Sequence, residues 1–269
     1  DLTAPDALAT EQLSGAVGAG YDPCAALRST VTLAPGETRD VIVLLGAASS
    51  DDEARALIAR HGTPDAASIA IDAAVGVWNQ RLSVISVHTP EPEFDALLNR
   101  WSLYQALSCR MWARSALYQS SGAYGFRDQL QDCMAFVYAA PEIARAHLLR
   151  AAGRQFVEGD VQHWWHEPSG RGVRTRSSDD LVWLPFVTDR YVTATGDTGV
   201  LDAPAPYLTM RPLGPGDHEV YDLPQPSGEI GVLYDHCVRA LDRACTAGPH
   251  GLPRMGGGDW NDGMNRVGV

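Results

Sequence analysis

The stretch FDALLNRWSLYQALSCRMWARSA, residues 94–116, decides the fold. Its large apolar side chains recur at helical spacing and comprise Phe94, Leu97, Leu98, Trp101, Leu107 and Met111. A helix this long and this apolar must be buried over much of its surface, because a helix exposed to solvent keeps only one apolar stripe. The sequence therefore predicts a mainly helical domain from about residue 93 onward.

Further helices follow, and the loops between them hold the unusual residues. We predict these helices over residues 126–140, 141–159, 179–197 and 228–248. Pro141 suits a first helical turn, and the helix over 179–197 is predicted despite Pro185. The Pro- and Gly-rich segment 202–227 is predicted to be a long loop. Successive helices joined by loops favour an α/α toroid, with the loops at one end forming a site.

The first fifty residues have a pattern typical of β-structure. STVTLAPGETRDVIVLLG (29–46) has two extended runs around a Pro-Gly turn. From residue 50 the spacing of the apolar residues changes to that of a helix. Ser50 and Glu53 form a capping box at its beginning, and the helix should end at Gly62. A second helix is predicted over about 65–80, and 83–90 is a short strand or a linker.

The composition disfavours several classes of partner. The formal net charge is −12, whereas binding to nucleic acids or anionic membranes needs an excess of basic charge. All 21 basic residues are arginine, and the absence of lysine excludes a Walker-type phosphate loop and a lysine Schiff base. A neutral polar ligand such as a sugar suits this composition better.

The cysteines and the N-terminus bear on location. The five cysteines are widely spaced and form no C-x-x-C pair, so we expect reduced thiols in the cytoplasm. No apolar run reaches the length of a membrane span, and DLTAPDALAT at the N-terminus has neither a Met nor the features of a signal peptide. We interpret the chain as a piece of a longer protein.

The motif FRDQLQD (126–132) is a candidate binding segment. On a helix it places Arg127 and Gln131 on one face, and Asp128 and Asp132 on a neighbouring face. Carboxylates four residues apart repel unless something pairs them. Arg127 could do so, and so could sugar hydroxyls, which donate hydrogen bonds to carboxylate oxygens. The alternative is a solvated face near a helix N-terminus, where Asp is favourable in any case.

Two further motifs have both structural and functional interpretations. HWWHE (163–167) does not have the spacing of a zinc site, so we favour a sugar-stacking surface or a cap on the core over a metal. RTRSSDD (174–180) is typical of a helix N-cap with an acidic first turn. In the alternative interpretation, Arg174 and Arg176 line a polar pocket.

GGGDWNDG (256–263) contains ordinary turn dipeptides. In the functional alternative, Gly256–Gly258 let the backbone approach a ligand, Trp260 packs against a sugar ring, and Asp262 is a general acid. Proton donation near neutral pH would require a raised pKa of Asp262, which a partly buried, apolar setting favours.

Several blocks together resemble glycoside hydrolase family 94, the inverting glycoside phosphorylases that act on β-linked glucosides. The blocks are YQSSGAYGFRDQLQD (118–132), HWWHEPSGRGVRTRSSDDLVWLPFVTDRYV (163–192), LYDHCVRALDR (233–243) and GLPRMGGGDWNDGMNRVG (251–268). DPCAALRSTVTLAPGETRDVIVLLG (22–46) resembles the family's N-terminal β-sandwich. Within the family, the likeness is greatest to the phosphorylase region of cyclic β-1,2-glucan synthases, followed by β-oligoglucan and chitobiose phosphorylases.

The resemblance implies a fold and its division into domains. It implies a β-sandwich part followed by an α/α toroid of the (α/α)6-barrel type, which is incomplete at the C-terminus. We expect the end of the β-sandwich domain over 1–50, a helical linker over 51–92, and the N-terminal part of the catalytic barrel over 93–269.

The resemblance also implies a reaction. Inorganic phosphate is the co-substrate and attacks the anomeric carbon, while one carboxylic acid protonates the leaving oxygen, so that a β-linkage gives α-glucose 1-phosphate. No cofactor and no metal are expected. The general acid falls on Asp262. The substrate-binding positions, with Asp132 favoured over Asp128 as the sugar-holding carboxylate, are Arg127, Asp128, Gln131, Asp132, Trp260 and Asn261.

The family's phosphate-binding residues follow the D-W-N-D motif and lie beyond this chain, so we expect little or no phosphorolysis from the isolated chain. The resemblance implies a β-glucan or β-glucoside oligosaccharide as the partner and favours a β-1,2 linkage, and nucleic acid is not expected. A homodimer is an option for the full-length protein. We expect the cytoplasm, or the cytoplasmic face of the inner membrane if the parent is a cyclic glucan synthase.

Two alternatives remain at this point. The first is an inverting hydrolase on the same fold, which needs a second carboxylate to activate water. The candidates for that carboxylate are Asp128, Asp132, Asp179 and Asp180. The second alternative is a carbohydrate-binding piece without catalysis.

Overall fold

The computed structural model describes residues 6–20, 26–115 and 121–253. The chain divides into two compact units, Asp1–Ala74 and Val75–Val269, and each is described on its own. The first contains α1 (Asp6–Ala9), α2 (Asp51–His61) and the beginning of α3 (Pro64–Leu82).

The two helices predicted after residue 50 are confirmed. Ser50 caps α2, since its side-chain oxygen accepts a hydrogen bond from the Glu53 N–H at 3.3 Å. The second half of the capping box differs from the prediction, because the Glu53 carboxylate accepts from the Ser49 N–H at 2.7 Å.

The two extended runs predicted over 29–46 are not paired strands. Within the described residues 26–50, no strand is present. The predicted turn does form, with the Glu37 N–H donating to the Ala34 carbonyl at 2.9 Å and Gly36 at a φ of +81°. Val43 and Leu45 are exposed. A strand is stabilised by pairing and by burial of one face, and neither is available to this segment within the described residues.

In the second unit, the long apolar helix is present as continuous helical structure over residues 92–112. It consists of α4 (Pro92–Ala96), α5 (Ser102–Gln105) and the π-helical stretches Leu97–Trp101 and Ala106–Trp112. Leu107 and Met111 are buried, as predicted. The prediction that the helix is buried over much of its surface is wrong for the beginning of the segment. Three of its side chains are about half exposed, those of Phe94, Leu97 and Trp101.

The other predicted helices are present with different bounds. They are α6 (Phe126–Cys133), α7 (Phe136–Ala139), α8 (Pro141–Ala152), α9 (Asp180–Thr195) and α10 (Leu233–Ala244), together with a short 3-10 helix at Thr198–Asp202. α9 continues through Pro185 and ends at Gly196, whose φ of +73° is the left-handed conformation that closes many helices.

The second unit also contains strands in segments that were predicted to be loop or helix. They are β1 (Tyr124–Gly125), β2 (Gln162–Trp165), β3 (Gly172–Thr175), β4 (Pro204–Thr209), β5 (Glu219–Asp222) and β6 (Gln225–Val232). One antiparallel sheet has the order β1-β2-β3-β5, and β4 pairs with β6 in a second. The predicted loop over 202–227 is therefore wrong, and the helix predicted from residue 228 begins only at Leu233.

The core of the second unit lies where α6, α8 and α9 pack together, with Leu130, Leu148 and Leu184 fully buried. It places the N-terminus of α9 beside α6 and β2, which determines the site described next. Among the described residues, no helix is both long enough and apolar enough to span a lipid bilayer.

Candidate functional site

Helix α6 presents the FRDQLQD motif. Its apolar side chains Phe126, Leu130 and Cys133 are fully buried, and their spacing fixes one face of the helix against the core. No side chain caps the helix through Gly125, although Gln129 accepts a hydrogen bond from the Gly125 N–H. Because the apolar face is fixed, the charged residues of the motif are held in defined positions.

Arg127 is ion-paired to the beginning of α9. Its Nη1 donates to Asp179 Oδ2 at 2.9 Å, and its Nε lies 3.6 Å from Asp128 Oδ1. Burial alone would lower the pKa of Arg127, but the hydrogen bond and the charge of Asp179 outweigh it and raise that pKa. The guanidinium is therefore firmly cationic, and one of its sides is tethered.

Asp180 is paired to the HWWHE motif. His163 Nδ1 and Asp180 Oδ2 lie 2.7 Å apart, and the Asp180 side chain is only 2% exposed. The pairing of β2 with β3 shifts register between Gln162 and Trp164, so His163 lies at an irregularity of the strand. Such irregularities redirect side chains.

The two partners affect each other's titration. Burial would lower the pKa of His163, but the hydrogen bond from His163 to the Asp180 carboxylate and the charge of that carboxylate raise it overall. Burial also raises the pKa of Asp180, and the contact with His163 opposes that rise. The pair is thus stabilised when His163 is protonated and Asp180 is ionised.

Asp132 belongs to a different contact. Its Oδ2 accepts a hydrogen bond from Nε of Arg110 at 2.8 Å. Burial raises the pKa of Asp132, and the charge of Arg110 opposes the rise. Gln131 is exposed. The structure therefore brings Arg127 and Asp128 together. It places Asp132 in a separate contact with Arg110, and Gln131 belongs to neither of these two contacts.

We call the group formed by Arg127, Asp128, His163, Asp179 and Asp180 the α6–α9 cluster. Each carboxylate in it has an oxygen engaged with Arg127 or His163. The remaining Oδ1 atoms of Asp179 and Asp180 are buried and accept no hydrogen bond from any described residue. Buried carboxylate oxygens are normally hydrogen-bonded, so the cluster can accept hydrogen bonds from donors such as hydroxyl groups. Across the described ranges, no group of His, Cys, Asp and Glu side chains has the arrangement of a metal site.

Two of the open interpretations are resolved by the structure. The predicted helix start with an acidic first turn is confirmed for the Ser-Ser-Asp-Asp run, since α9 begins at Asp180 with Asp179 at the N-cap position, but the Asp179 side chain makes no capping hydrogen bond. The pocket interpretation of the upstream arginines is wrong. Arg174 is buried against Asp160, and Arg176 donates to the backbone carbonyls of Gly214 and Asp217.

The two indoles of HWWHE have different environments. Trp165 is fully buried and stacks on Tyr124, with 5.2 Å between ring centroids. Trp164 is half-buried and lies 5.5 Å from the ring of Tyr221. Trp165 therefore caps the core, which was one of the two expected roles for this motif.

The rest of the predicted site, which comprises Trp260, Asn261 and Asp262, lies outside the described residues. His163 and Arg110 were not predicted as partners of the candidate carboxylates. No local pattern could have found them, because their contacts join residues that are 17 and 22 positions apart.

The chain matches two models of known families. Residues 77–268 match the catalytic domain of the glycosyl hydrolase 94 superfamily, and residues 1–64 match the supersandwich domain of glycosyl hydrolase 94.

Curated relatives match over almost the whole chain. It is 45% identical over 269 residues to the cyclic beta-(1,2)-glucan synthase NdvB of Rhizobium meliloti, covering 99% of this chain and 10% of that protein. It is 28% identical over 291 residues to the N,N'-diacetylchitobiose phosphorylase of Vibrio proteolyticus, and this match covers 96% of this chain and 34% of that protein. It is 26% identical over 270 residues to the solabiose phosphorylase of Paenibacillus borealis, and this match covers 100% of this chain and 32% of that protein. The chain thus spans about a third or less of the length of these relatives.

Proposed function

This chain belongs to glycoside hydrolase family 94, and on that premise we propose that it is part of an enzyme that cleaves β-linked glucosides or glucans by inverting phosphorolysis. The observation that carries the proposal is the match of residues 77–268 to the catalytic-domain model. The similarity to two phosphorylases over nearly the whole chain supports it. The fold that we propose for the whole domain is an (α/α)6 barrel preceded by a β-sandwich.

The α6–α9 cluster supports a sugar-binding role for the FRDQLQD helix. Arg127 presents a guanidinium with five N–H donors, and the hydrogen bond to Asp179 engages Nη1. Asp128 lies beside it, with the ion-pair distance at 3.6 Å. We propose that Arg127 and Asp128 bind hydroxyl groups of the sugar next to the cleaved bond.

The other substrate-binding assignments are part of the same proposal. We retain Asp132, whose Oδ2 is held by Arg110, as a sugar-binding carboxylate beside Asp128. Gln131 is exposed and would reach a longer glucan. Trp260 and Asn261 would complete the site as the stacking ring and a polar contact.

The chemical step that we propose uses one carboxylic acid. An oxygen of inorganic phosphate attacks the anomeric carbon on the face opposite the leaving group, and a new C–O bond forms as the glycosidic C–O bond breaks. Asp262 gives its proton to the leaving oxygen. The products are α-glucose 1-phosphate and a glucan shortened by one unit. Phosphate takes the place of the activated water of an inverting hydrolase, so that a second carboxylate is not needed.

The linkage and the context are further steps of the proposal. The 45% identity to a cyclic beta-(1,2)-glucan synthase supports β-1,2-linked glucans as substrates. We also propose a location in the cytoplasm, or on the cytoplasmic face of the inner membrane if the parent protein is a cyclic glucan synthase. A full-length homodimer is compatible with this proposal. Because the chain spans 34% or less of the lengths of these relatives, we further propose that the isolated 269-residue chain has little or no phosphorolytic activity.

The experiment measures glucose 1-phosphate released from β-1,2-linked gluco-oligosaccharides by the full-length protein, with and without inorganic phosphate. We expect release only with phosphate, and loss of release in Asp262→Asn with binding of the oligosaccharide retained. Asp189→Asn, an acidic residue of α9 outside the cluster, is the control that should keep full activity. Phosphate-independent release of glucose would instead identify a hydrolase, and turnover by Asp262→Asn would remove Asp262 as the acid. Release of glucose 1-phosphate by the 269-residue chain alone would refute its proposed inactivity.

A further inference from the structure

Two adjacent carboxylates at the beginning of α9 contact two different secondary-structure elements. Asp179 contacts Arg127 of α6, 52 positions earlier in the chain, whereas Asp180 contacts His163 of β2. Neither contact is a local helix cap, since the N-cap residue makes no side-chain capping bond. The end of the helix is therefore held by tertiary contacts.

Helix α9 is a rigid base for these contacts. Its side chains Leu184 and Val187 are fully buried, and Leu181 is nearly so. Asp180 is also buried, and its contact with His163 is 2.7 Å long. A carboxylate held on a packed helix cannot move away without breaking these contacts, so the neighbouring Asp179 is fixed in place.

The contact between Asp179 and Arg127 restricts the arginine without using up its donors. An unrestrained arginine side chain loses conformational freedom when a ligand fixes it. The tether through Nη1 removes part of that loss in advance. The contacts of the guanidinium with described residues use Nη1 and Nε, so that Nη2 makes no hydrogen bond to any of them. Preorganised binding groups of this kind increase affinity.

We propose that Asp179 is a positioning residue, which holds the guanidinium of Arg127 in the orientation that binds the sugar, and that the buried pair of His163 and Asp180 fixes the helix end that carries it. This inference rests on the proposed function, because it takes Arg127 as a sugar-binding residue. Asp179 acts through Arg127 and does not itself take part in the chemical step.

The test is a double-mutant cycle in the full-length protein. The dissociation constant of a β-1,2-linked gluco-oligosaccharide is measured by calorimetry, and kcat and KM for phosphorolysis are measured in parallel. We expect Asp179→Ala to weaken binding by roughly tenfold, because Arg127 is then no longer held in the binding orientation and must be ordered when the sugar binds. Asp179→Asn keeps an acceptor for Arg127 and should restore most of that loss. The double variant Arg127→Ala/Asp179→Ala should bind as weakly as Arg127→Ala alone, within about twofold.

The control is Asp197→Asn. Asp197 follows the other end of α9 and pairs with Arg145 at 3.1 Å at a more exposed position, so its loss should leave the dissociation constant unchanged. Thermal unfolding of each variant shows that binding is measured on folded protein.

The outcomes separate the inference from the function on which it rests. If Arg127→Ala leaves binding unchanged, the sugar-binding role of Arg127 fails. If Arg127→Ala weakens binding but Asp179→Ala does not, or if the two losses multiply in the double variant, Asp179 is not a positioning residue for Arg127. A loss in Asp179→Ala that Asp179→Asn does not reduce would also overturn the inference.

Discussion

Replacing Arg174 with methionine should strongly destabilise the sheet beside the α6–α9 cluster. The Arg174 side chain is 2% exposed. Its Nε and Nη2 donate to the two oxygens of Asp160, each at 2.6 Å, and its Nη1 donates to the Met210 carbonyl at 2.8 Å. Methionine keeps a long apolar side chain but leaves the largely buried Asp160 carboxylate without its cation.

We expect Arg174→Met to lower the free energy of unfolding by about 3–5 kcal/mol, the usual cost of removing one partner of a buried ion pair. We expect a loss in the lower half of that range. Glu158, which accepts from Arg174 Nη2 at 3.0 Å, is about one-third exposed, so water can hydrate its carboxylate when Arg174 is absent. The double variant Arg174→Met/Asp160→Leu should recover most of the loss, since it removes the unpaired charge as well.

The assay is chemical denaturation followed by tryptophan fluorescence, with wild type and variants at one pH and salt concentration. Arg171→Met is the matched control. Arg171 directly precedes β3, and its ion pair with Asp222 is exposed and 3.4 Å long, so its loss should cost at most about 1 kcal/mol. Equal losses in the Arg174 and Arg171 variants would refute the reasoning, as would a double variant no more stable than Arg174→Met.

Two further predictions concern β2 and its neighbours. The contact with Asp180 raises the pKa of His163 in the folded protein. The stability that this contact gives is therefore fully present below the ordinary histidine pKa of about 6.5. It is lost as the pH rises through the folded-state pKa of His163. The difference in free energy of unfolding between wild type and His163→Gln, measured by denaturation across this range, should therefore shrink as the pH rises, and a constant difference would contradict the assignment. In the same assay, Gly172→Ala should lower the free energy of unfolding by about 1–3 kcal/mol. The new Cβ would overlap the Trp164 carbonyl oxygen and lie 2.8 Å from the Trp165 Cα. Gly76→Ala is the control, because its new Cβ meets no atom within 4 Å.

Helices could be predicted because their signals are local. The apolar positions of α6, at 126, 130 and 133, recur within two turns, and all three side chains are buried in the structure. The capping signal at Ser50 and the glycine after α9 lie within a few residues of the helix ends that they define. Such patterns are visible in a short window of sequence.

The sheets could not be predicted in the same way, because their stability comes from partners far away in the chain. β3 pairs with β5 through Arg174 opposite Val220, and β4 pairs with β6 across the segment that was predicted to be a loop. Proline and glycine in that segment argued against strands, yet Pro206 lies opposite Ile230 in the pairing. Strand formation depends on cross-strand packing, which a single sequence does not display.

The same distinction explains the candidate site. The identities of Arg127 and Asp128 could be proposed from one helix, but their partner Asp179 could not, since a helix-start aspartate has a sufficient local explanation as a cap. In the structure, Asp179 makes no capping bond and its carboxylate faces an arginine instead. An acidic residue that gives up a favourable local contact for a distant one indicates that the distant charge is being held in place. Under the proposed function, that charge is the sugar-binding arginine, and fixing it before the substrate arrives lowers the reorganisation needed on binding.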